Sequence, residues 1–198
     1  LSHFTFGSNR LRVFNIYGSE LTWDAALRKC NETNESLATL YDEEDANFIN
    51  NTIKKEDGTV WLGLRKGRNI TWSDGVRVTF NYSYEIGKNT SQICVAIDNN
   101  TWTSLNCSER KPFMCKKDGN YTLFEEKKNW CQALQYCRKS VLADLVSISN
   151  VSQNEEVIRK GNNASFWIGL MLDEWEWVDK SCSLYRKTGR IFDVHNCI

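Results

Sequence analysis

Apolar residues at helical spacing mark a helix that begins after Thr22, a residue type that caps helix N-termini. Its apolar positions fall at i, i+3, i+4 and i+7, so one face is expected to be buried. These positions are Trp23, Ala26, Leu27 and Cys30. A second helix is predicted to begin near Asp42, because acidic residues suit a first turn and apolar residues follow at Ile49 and Ile53.

After these helices the pattern changes to short apolar runs separated by turn residues. Strands that lead into turns are predicted over 71–75 and 175–179, and short buried strands over 93–97 and 112–115. The chain from 80 to 93 is polar and has no periodicity, so it is predicted to be a long loop.

Much of this pattern occurs twice. Trp61-Leu62-Gly63-Leu64 returns as Trp167-Ile168-Gly169-Leu170, and the helix motif returns around Trp130 and Cys137 with the same seven-residue spacing. The offset between the copies is 107 residues at the helix and falls to 105 between Trp72 and Trp177. Self-similarity of this kind indicates an internal duplication.

The duplication predicts two homologous domains, 1–117 and 118–198, joined by the polar stretch 116–119. Each domain is expected to be of the α+β class, with two helices, short antiparallel strands and a long loop. The second helix of the second copy is predicted to start near Asn150 and to bury Val157 and Ile158.

Charge gives no indication of a polyanionic partner. The 25 Lys and Arg residues balance 25 Asp and Glu residues, so neither a nucleic acid nor a membrane surface is expected as a partner. The sequence has no run of 18 apolar residues, so direct membrane insertion is not expected. Eight cysteines without a Cys-x-x-Cys pair, with only His3 and His195 beside them, favour disulfides over zinc. Disulfides indicate an oxidising compartment, so the chain is predicted to be secreted or part of an ectodomain.

Sequons for N-glycosylation support the extracellular prediction independently. Eleven occur in 198 residues, which exceeds what an unselected surface would give, and N-linked glycans are therefore expected. Their asparagines are Asn31, Asn34, Asn50, Asn69, Asn81, Asn89, Asn99, Asn106, Asn120, Asn150 and Asn163.

Taken together, the helix motif Trp-x-x-Ala-x-x-x-Cys, Trp-Leu-Gly-Leu, Trp-Ser-Asp-Gly and the terminal Phe-Met-Cys resemble a C-type lectin-like domain. The match is complete in the first copy, and the tandem arrangement resembles multi-domain C-type lectin receptors. The resemblance implies one disulfide from Cys30 to Cys115 and another from Cys94 to Cys107. A bridge that closes about 85 residues would restrain the unfolded chain by about 4–5 kcal/mol in the chain-entropy model.

The second copy departs from the family pattern. Cys197 aligns best with Cys94, and by that alignment Cys137 and Cys197 lack their usual partners because the copy is truncated. A rival alignment pairs Cys182 with Cys197 in a domain whose long loop is deleted. Cys131 and Cys182 are additional to the family pattern. One interpretation is a disulfide between them, which would join the start of the helix to the strand–turn region.

Sugar-binding relatives hold calcium with carboxylate and amide oxygens from the long loop and the following strand. Here Glu85 keeps one such position, but Thr101-Trp102-Thr103-Ser104 replaces the oxygen donors of the strand, and Arg190 stands at the corresponding place in the second copy. No metal or other cofactor is therefore expected.

The candidates for ligand contact are loop residues, because exposed tyrosines give a large contact area at a small entropic cost. They are Tyr82, Tyr84, Glu85, Lys88 and Trp102. Two histidines in different domains offer no catalytic arrangement, so an enzyme is not expected.

Three functions remain open. One is an extracellular module that recognises a protein or glycoprotein ligand without calcium, as part of a secreted or cell-surface receptor. Another is a calcium-dependent lectin, and the third is a heavily glycosylated structural or shielding glycoprotein.

Overall fold

The computed structural model describes residues 3–7, 12–53, 60–80 and 92–186. The side chains of 3–7, 68, 69 and 174 are outside this description. The helices are α1 (Trp23–Glu32), α2 (Glu43–Ile53), α3 (Trp130–Tyr136) and α4 (Val151–Gly161), with a π-helical turn over Cys137–Val141. The strands are β1 (His3–Gly7), β2 (Val13–Tyr17), β3 (Leu64–Trp72), β4 (Gln92–Asp98), β5 (Thr101–Leu105), β6 (Lys111–Lys117), β7 (Asn120–Lys128), β8 (Asp144–Leu145) and β9 (Phe166–Trp177).

The four helices begin where the sequence predicts. Thr22 caps α1 through its side chain, which accepts a hydrogen bond from the Ala25 amide. Asn129 caps α3 in a capping box with Gln132, and Asn150 caps α4. These caps satisfy amides that have no partner inside the helix, which is why the starts are locally encoded. The α+β class is confirmed.

Most strands belong to a seven-stranded sheet in which β5, β4, β9, β6 and β7 are neighbours in that order, with β3 on β9 and β8 on β6. All of its registered pairs are antiparallel except β6 with β9, where Phe113 lies opposite Trp167. β1 and β2 form a separate antiparallel pair. The predicted strands are present but longer, since β3 and β9 extend well before their turns.

Corresponding parts of the two copies adopt the same local structure. The indole N–H of Trp23 donates to the Leu62 carbonyl at 2.8 Å, and that of Trp130 donates to the Ile168 carbonyl at the same distance. The Gly63 amide donates to the Ala38 carbonyl, and the Gly169 amide donates to the Val146 carbonyl. The duplication read from the sequence is therefore also a structural duplication of each first half.

The chain divides into two compact units that cut across the copies. Unit 1 comprises 1–66 and 176–198, and unit 2 comprises 67–175. Each unit thus combines the first half of one copy with the second half of the other. The predicted domains 1–117 and 118–198 stay a prediction about the sequence repeat, and the compact units do not follow them.

The stretch predicted to be a junction between domains, 116–119, is the end of β6 and the hairpin turn that follows it inside unit 2. Asp118 and Gly119 have φ values of 49° and 81°, and they connect β6 directly to β7. Asp-Gly suits this turn because both central residues of a tight hairpin of this kind need positive φ. The prediction of a linker is therefore wrong, and the last strand of the first copy pairs with the first strand of the second.

Each unit has its own core. In unit 2 the core mixes residues of both copies, with Trp72, Trp102 and Met114 packed among Val146 and Ile168. In unit 1 the core residues Leu40, Ala46, Ile49 and Ile53 pack with Trp177 of the second copy. No helix among the described residues is long and apolar enough to cross a bilayer.

Candidate ligand-binding surface

Four of the predicted ligand-binding residues lie in a segment outside the described residues. They are Tyr82, Tyr84, Glu85 and Lys88, within 81–91. Their role stays a prediction.

Trp102 is described, and it is a core residue of unit 2. Its side chain is 4% exposed and packs edge-on against Trp72 at 5.5 Å between ring centroids. Its indole N–H donates to Oδ1 of Asn154 at 2.9 Å. The prediction that Trp102 contacts a ligand is wrong, because its ring is buried and its polar atom is already bonded.

The β4–β5 hairpin is where a calcium ion would be expected from the family resemblance. Thr103 and Ser104 supply neutral hydroxyls there, and Thr101 donates its hydroxyl to the Asp98 carbonyl at 2.8 Å. Asp98 contributes the one carboxylate of these two strands. Calcium binds six to eight oxygens, several of them carboxylates, so the described strands do not fit this ion.

Two disulfides lie within unit 2. Cys94 bonds to Cys107 with their Cα atoms 5.0 Å apart, the pairing that the family resemblance implies. Cys115 bonds to Cys137, with Cα atoms 5.7 Å apart, and not to Cys30. The Cys30–Cys115 pairing is therefore wrong in this structure, as is the expectation that Cys137 lacks a partner. The β6–β7 hairpin explains the difference, because it places β6 beside the helix of the second copy.

The remaining cysteines differ in state. Cys131 and Cys182 are both disulfide-bonded, whereas Cys197 lies outside the described residues. Cys30 is the free cysteine of the described chain and is half-buried. Burial, followed by the charge of Glu35, raises the pKa of the Cys30 thiol above 9.0, so the thiol is a weak nucleophile at neutral pH.

The register of β1 accounts for the free Cys30. β1 pairs with β2 as β6 pairs with β7, and Thr5 lies opposite Asn15 where Cys115 lies opposite Thr122. Position 5 thus corresponds to position 115 and carries threonine, so the first strand of unit 1 offers no cysteine to the helix.

Unit 1 contains an open groove with a volume of about 1070 Å³. It is lined by β2, by α1, and by the segments 35–39 and 60–62. In unit 2 the segment that corresponds to 36–37 pairs with β6, where Cys115 lies opposite Leu145. The groove of unit 1 therefore lies along a segment whose equivalent in unit 2 is covered by a strand.

Glu35 accepts hydrogen bonds from two side chains of β2 in this groove. Tyr17 donates its hydroxyl to Glu35 at 2.9 Å, and Asn15 donates its side-chain amide to the other oxygen. The hydrogen bond to Glu35 is the main cause that raises the pKa of Tyr17. Sequence analysis did not identify this cluster, because Tyr17 and Glu35 lie 18 residues apart and share no motif.

A partly buried ion pair lies at the Arg12 side of the groove. The Arg12 guanidinium bonds to Asp45, whose side chain is 2% exposed, and lies 4.5 Å from the centroid of the Tyr41 ring. Asp45 also accepts the Tyr41 amide at 2.9 Å. These contacts fix the loop before α2, and a buried carboxylate held in this way has a structural role.

Most described sequons are on the surface. Seven of their asparagines are exposed, whereas Asn50 is half-buried with its Oδ1 oxygen enclosed. Asn69, Asn81 and Asn89 have side chains outside the described residues. The exposed ones are Asn31, Asn34, Asn99, Asn106, Asn120, Asn150 and Asn163.

Several curated proteins are similar to the chain. The secretory phospholipase A2 receptor of Mus musculus is 27% identical over 224 aligned residues, which cover 90% of this chain. Lymphocyte antigen 75 of Homo sapiens is 25% identical over 85% of the chain, and a killer cell lectin-like receptor of Mus musculus, subfamily B member 1B allele A, is 25% identical over 58%. The chain spans about 15% of the length of the phospholipase receptors and 12% of lymphocyte antigen 75. No solved structure gives a significant match.

The repeated tryptophan contacts, the α+β units and the Cys94–Cys107 disulfide agree with the family suggested by the sequence motifs. The sequence pattern of the "Lectin C-type domain" family matches residues 19–117 and 126–195. These two segments cover most of the chain and correspond to its two copies. The chain belongs to the C-type lectin domain family.

Proposed function

We propose that the chain is an extracellular binding module that recognises a protein or glycoprotein ligand without calcium. Family membership and the receptors among its relatives support a binding module. The observation that carries calcium independence is the β4–β5 hairpin, where Trp102 is buried and Thr103 and Ser104 bring no carboxylate. A fold that keeps its core but lacks acidic donors is suited to binding by surface complementarity.

An extracellular location is supported by two independent features. Six described cysteines are in disulfides, which persist in oxidising compartments. Seven sequon asparagines are exposed and can accept glycans.

Ligand contact is assigned to Tyr82, Tyr84, Glu85 and Lys88. This segment follows Phe80, which packs against Trp102 at 6.1 Å, and it precedes β4. Both ends of the segment are therefore attached to the core of unit 2, an arrangement that holds a binding loop on a rigid base.

Calcium independence is tested by thermal unfolding of the full glycosylated chain in EDTA and in millimolar calcium chloride. The proposal predicts the same midpoint in both, because a ligand that does not bind the native state cannot stabilise it. A midpoint that rises with calcium concentration, together with calcium-dependent retention on immobilised monosaccharides, would establish a lectin instead.

Ligand recognition is tested with a secretory phospholipase A2 as first probe, chosen because one relative is named as a receptor for it. Surface plasmon resonance would measure its binding to the wild-type chain and to the Y82A/Y84A and K88A variants. Weaker binding by these variants, with no change for K127A on the exposed side of β7, supports the loop assignment. Equal binding by all variants contradicts it, and a lack of binding by wild type excludes this ligand class.

A shielding glycoprotein is the second candidate, favoured by the seven exposed sequon asparagines. Glycans at Asn81 and Asn89 would cover the proposed binding loop. Site-specific mass spectrometry distinguishes the two functions. Unoccupied Asn81 and Asn89 favour the binding module, and full occupancy at both favours shielding.

A further inference from the structure

Each unit contains polar contacts that join one copy to the other. In unit 2, Trp102 of the first copy donates its buried indole N–H to Asn154 of the second, at 2.9 Å. Gln92 of the first copy donates its side-chain amide to Asp173 of the second, at 2.8 Å. In unit 1, Tyr185 of the second copy donates its hydroxyl to Glu43 of the first, at 3.1 Å.

The residue that corresponds to Asn154 in the first copy is Ala46. α2 runs over Glu43–Ile53 and α4 over Val151–Gly161, so the two helices align end to end at an offset of 108. The preceding turns agree, since the Tyr41 amide donates to Asp45 and the Ser149 amide donates to Gln153. Asn154 and Ala46 are both buried, at 5% and 6% exposure.

Because Asn154 has a side-chain acceptor and Ala46 has none, only the helix of the second copy can accept a hydrogen bond from the Trp102 N–H. If the second half of the first copy packed on its own first half, the indole would meet the methyl group of Ala46, which accepts no hydrogen bond. A buried donor without an acceptor is destabilising, so Trp102 favours the helix of the other copy.

The Gln92 contact likewise has an acceptor in the second copy and none at the corresponding position of the first copy. Trp61-Leu62-Gly63-Leu64 aligned on Trp167-Ile168-Gly169-Leu170 places Gly67 at the position of Asp173. Neither Gly67 nor Arg68 after it has a side-chain acceptor. Gln92 therefore finds its carboxylate partner in the second copy.

Unit 1 gives an independent third case. Glu43 corresponds to Val151 at the same offset of 108, and Tyr185 corresponds to Phe80 in the spacing from the preceding tryptophan. Packing of each copy on itself would put the hydroxyl of Tyr185 beside valine and Glu43 beside phenylalanine. The exchanged arrangement pairs the two polar groups with each other, but the contact is exposed, so it adds a smaller preference than the buried pairs of unit 2.

We infer that these polar pairs select the partner of each half. Because of them, the second half of each copy packs on the first half of the other copy. The copies share their apolar pattern, and this pattern alone does not distinguish own half from other half. Trp102–Asn154, Gln92–Asp173 and Tyr185–Glu43 make the distinction. The two copies then fold as an interdependent pair, with neither copy closing its core alone.

Cys115 reports which arrangement is present. In the exchanged arrangement it bonds to Cys137, and in the unexchanged one to Cys30. The two are linked by thiol–disulfide exchange, in which the Cys30 thiolate attacks Cys115 and forms the new bond. Cys137 leaves as a thiolate and takes up a proton, so the reaction needs no net oxidant.

The test transfers a polar residue between copies in the full chain. The reduced chain is refolded in a glutathione buffer, and the ratio of Cys115–Cys137 to Cys30–Cys115 is measured by peptide mapping. Wild type is expected to contain mainly Cys115–Cys137. The A46N/N154A variant should lower the ratio by about tenfold or more, because it moves a buried hydrogen bond from one arrangement to the other.

G67D/D173G is a second transfer at a different site, and it decides the question if A46N/N154A does not fold. It should shift the ratio in the same direction. E155A, an exposed change on α4 beside Asn154, is the matched control and should leave the ratio unchanged. A wild-type chain that contains mainly Cys30–Cys115 would overturn the inference, as would transfer variants with the ratio of wild type.

Discussion

Unit 1 and unit 2 are built from corresponding helices and strands, and they differ most at the helix cysteine. In unit 2, the helix that begins at Trp130 buries Cys131, Ala133 and Leu134, and the following Cys137 is bonded to β6. In unit 1, α1 buries Trp23, while Cys30 is half-buried beside a groove. The same helix motif is therefore covered by a strand and disulfide-bonded to it in unit 2, whereas in unit 1 its cysteine is free and faces a groove.

The comparison separates what a local pattern can determine from what it cannot. The helix, its cap and the bonds of Trp23 and Trp130 to a carbonyl of the tetrapeptide are the same in both units. The strand that covers the helix of unit 2, β6, belongs to the other copy. Closure thus depends on tertiary pairing, and the following predictions test it.

The largest effect is expected from removing the helix cysteines one at a time. C137S breaks a disulfide that closes a loop of 22 residues, which should cost about 3 kcal/mol of unfolding free energy. C30S removes a thiol without a bond and should change the unfolding free energy by less than about 0.5 kcal/mol. Chemical denaturation of both variants measures the difference. The opposite ranking, with C30S the more damaging, would mean that the first copy closes on itself.

The second-largest loss of stability is expected from alanine substitution at Gly63 and Gly169, the glycines of the two repeated tetrapeptides. A methyl group at Gly169 would lie 2.6 Å from Oγ of Ser73, and one at Gly63 would lie 2.7 Å from the Leu37 carbonyl. Each alanine variant should lose about 1–3 kcal/mol by overpacking. A backbone carbonyl also lies 3.0 Å from the methyl position at Gly169, that of Leu145, so the two units should suffer similar losses in thermal unfolding. A tolerant Gly63 would show that unit 1 is looser at this position than its backbone contacts indicate.

A smaller, kinetic effect is expected at Cys30. Burial and then Glu35 raise the pKa of its thiol, so alkylation by iodoacetamide at pH 8 should be several-fold slower than for an unstructured cysteine. E35Q removes the nearby charge and should accelerate alkylation, with burial still acting. The reaction is followed by mass spectrometry, and E32Q, an exposed change on α1, is the control. Complete protection in the native wild type would indicate that Cys30 is bonded.

The smallest effect is expected at Glu176, which forms ion pairs with Arg65 and Lys180 on the surface of unit 1. Burial alone would raise the pKa of Glu176, but hydrogen bonds from Lys180 and Arg65 outweigh it and lower the pKa below 4.5. The stabilisation is therefore present above about pH 4.5 and is lost as the pH falls through the lowered value. E176Q should cost less than about 1 kcal/mol at pH 6, because the pair is partly exposed. The difference between E176Q and wild type should shrink as the pH falls below 4.5, and a difference that does not change with pH would exclude the ion pair as its cause.

Much of each unit could be predicted from sequence, because caps and helical periodicity are local. Thr22, Asn150 and the apolar face around Trp130 determine their helices without reference to distant residues. Asp118-Gly119 is typical of a hairpin turn. The wrong partner for Cys115 came from the family resemblance, which pairs this cysteine with the helix of its own copy. The exchange itself could not be predicted from periodicity. Both copies carry the same apolar pattern, and the choice depends on side chains such as Asn154 and Ala46 that are distant in sequence.

The disulfide of Cys115 in the native, non-reduced chain tests the exchanged architecture most directly. After removal of the N-glycans, trypsin should release Cys115 in the peptide 111–116, since the bond before Pro112 resists cleavage. Cys30 falls in the peptide 30–54 and Cys137 in the peptide 129–138, and a chymotryptic cut after Tyr136 separates Cys137 from Cys131. The structure predicts that 111–116 is linked to the Cys137 fragment. Linkage of 111–116 to 30–54 would contradict it.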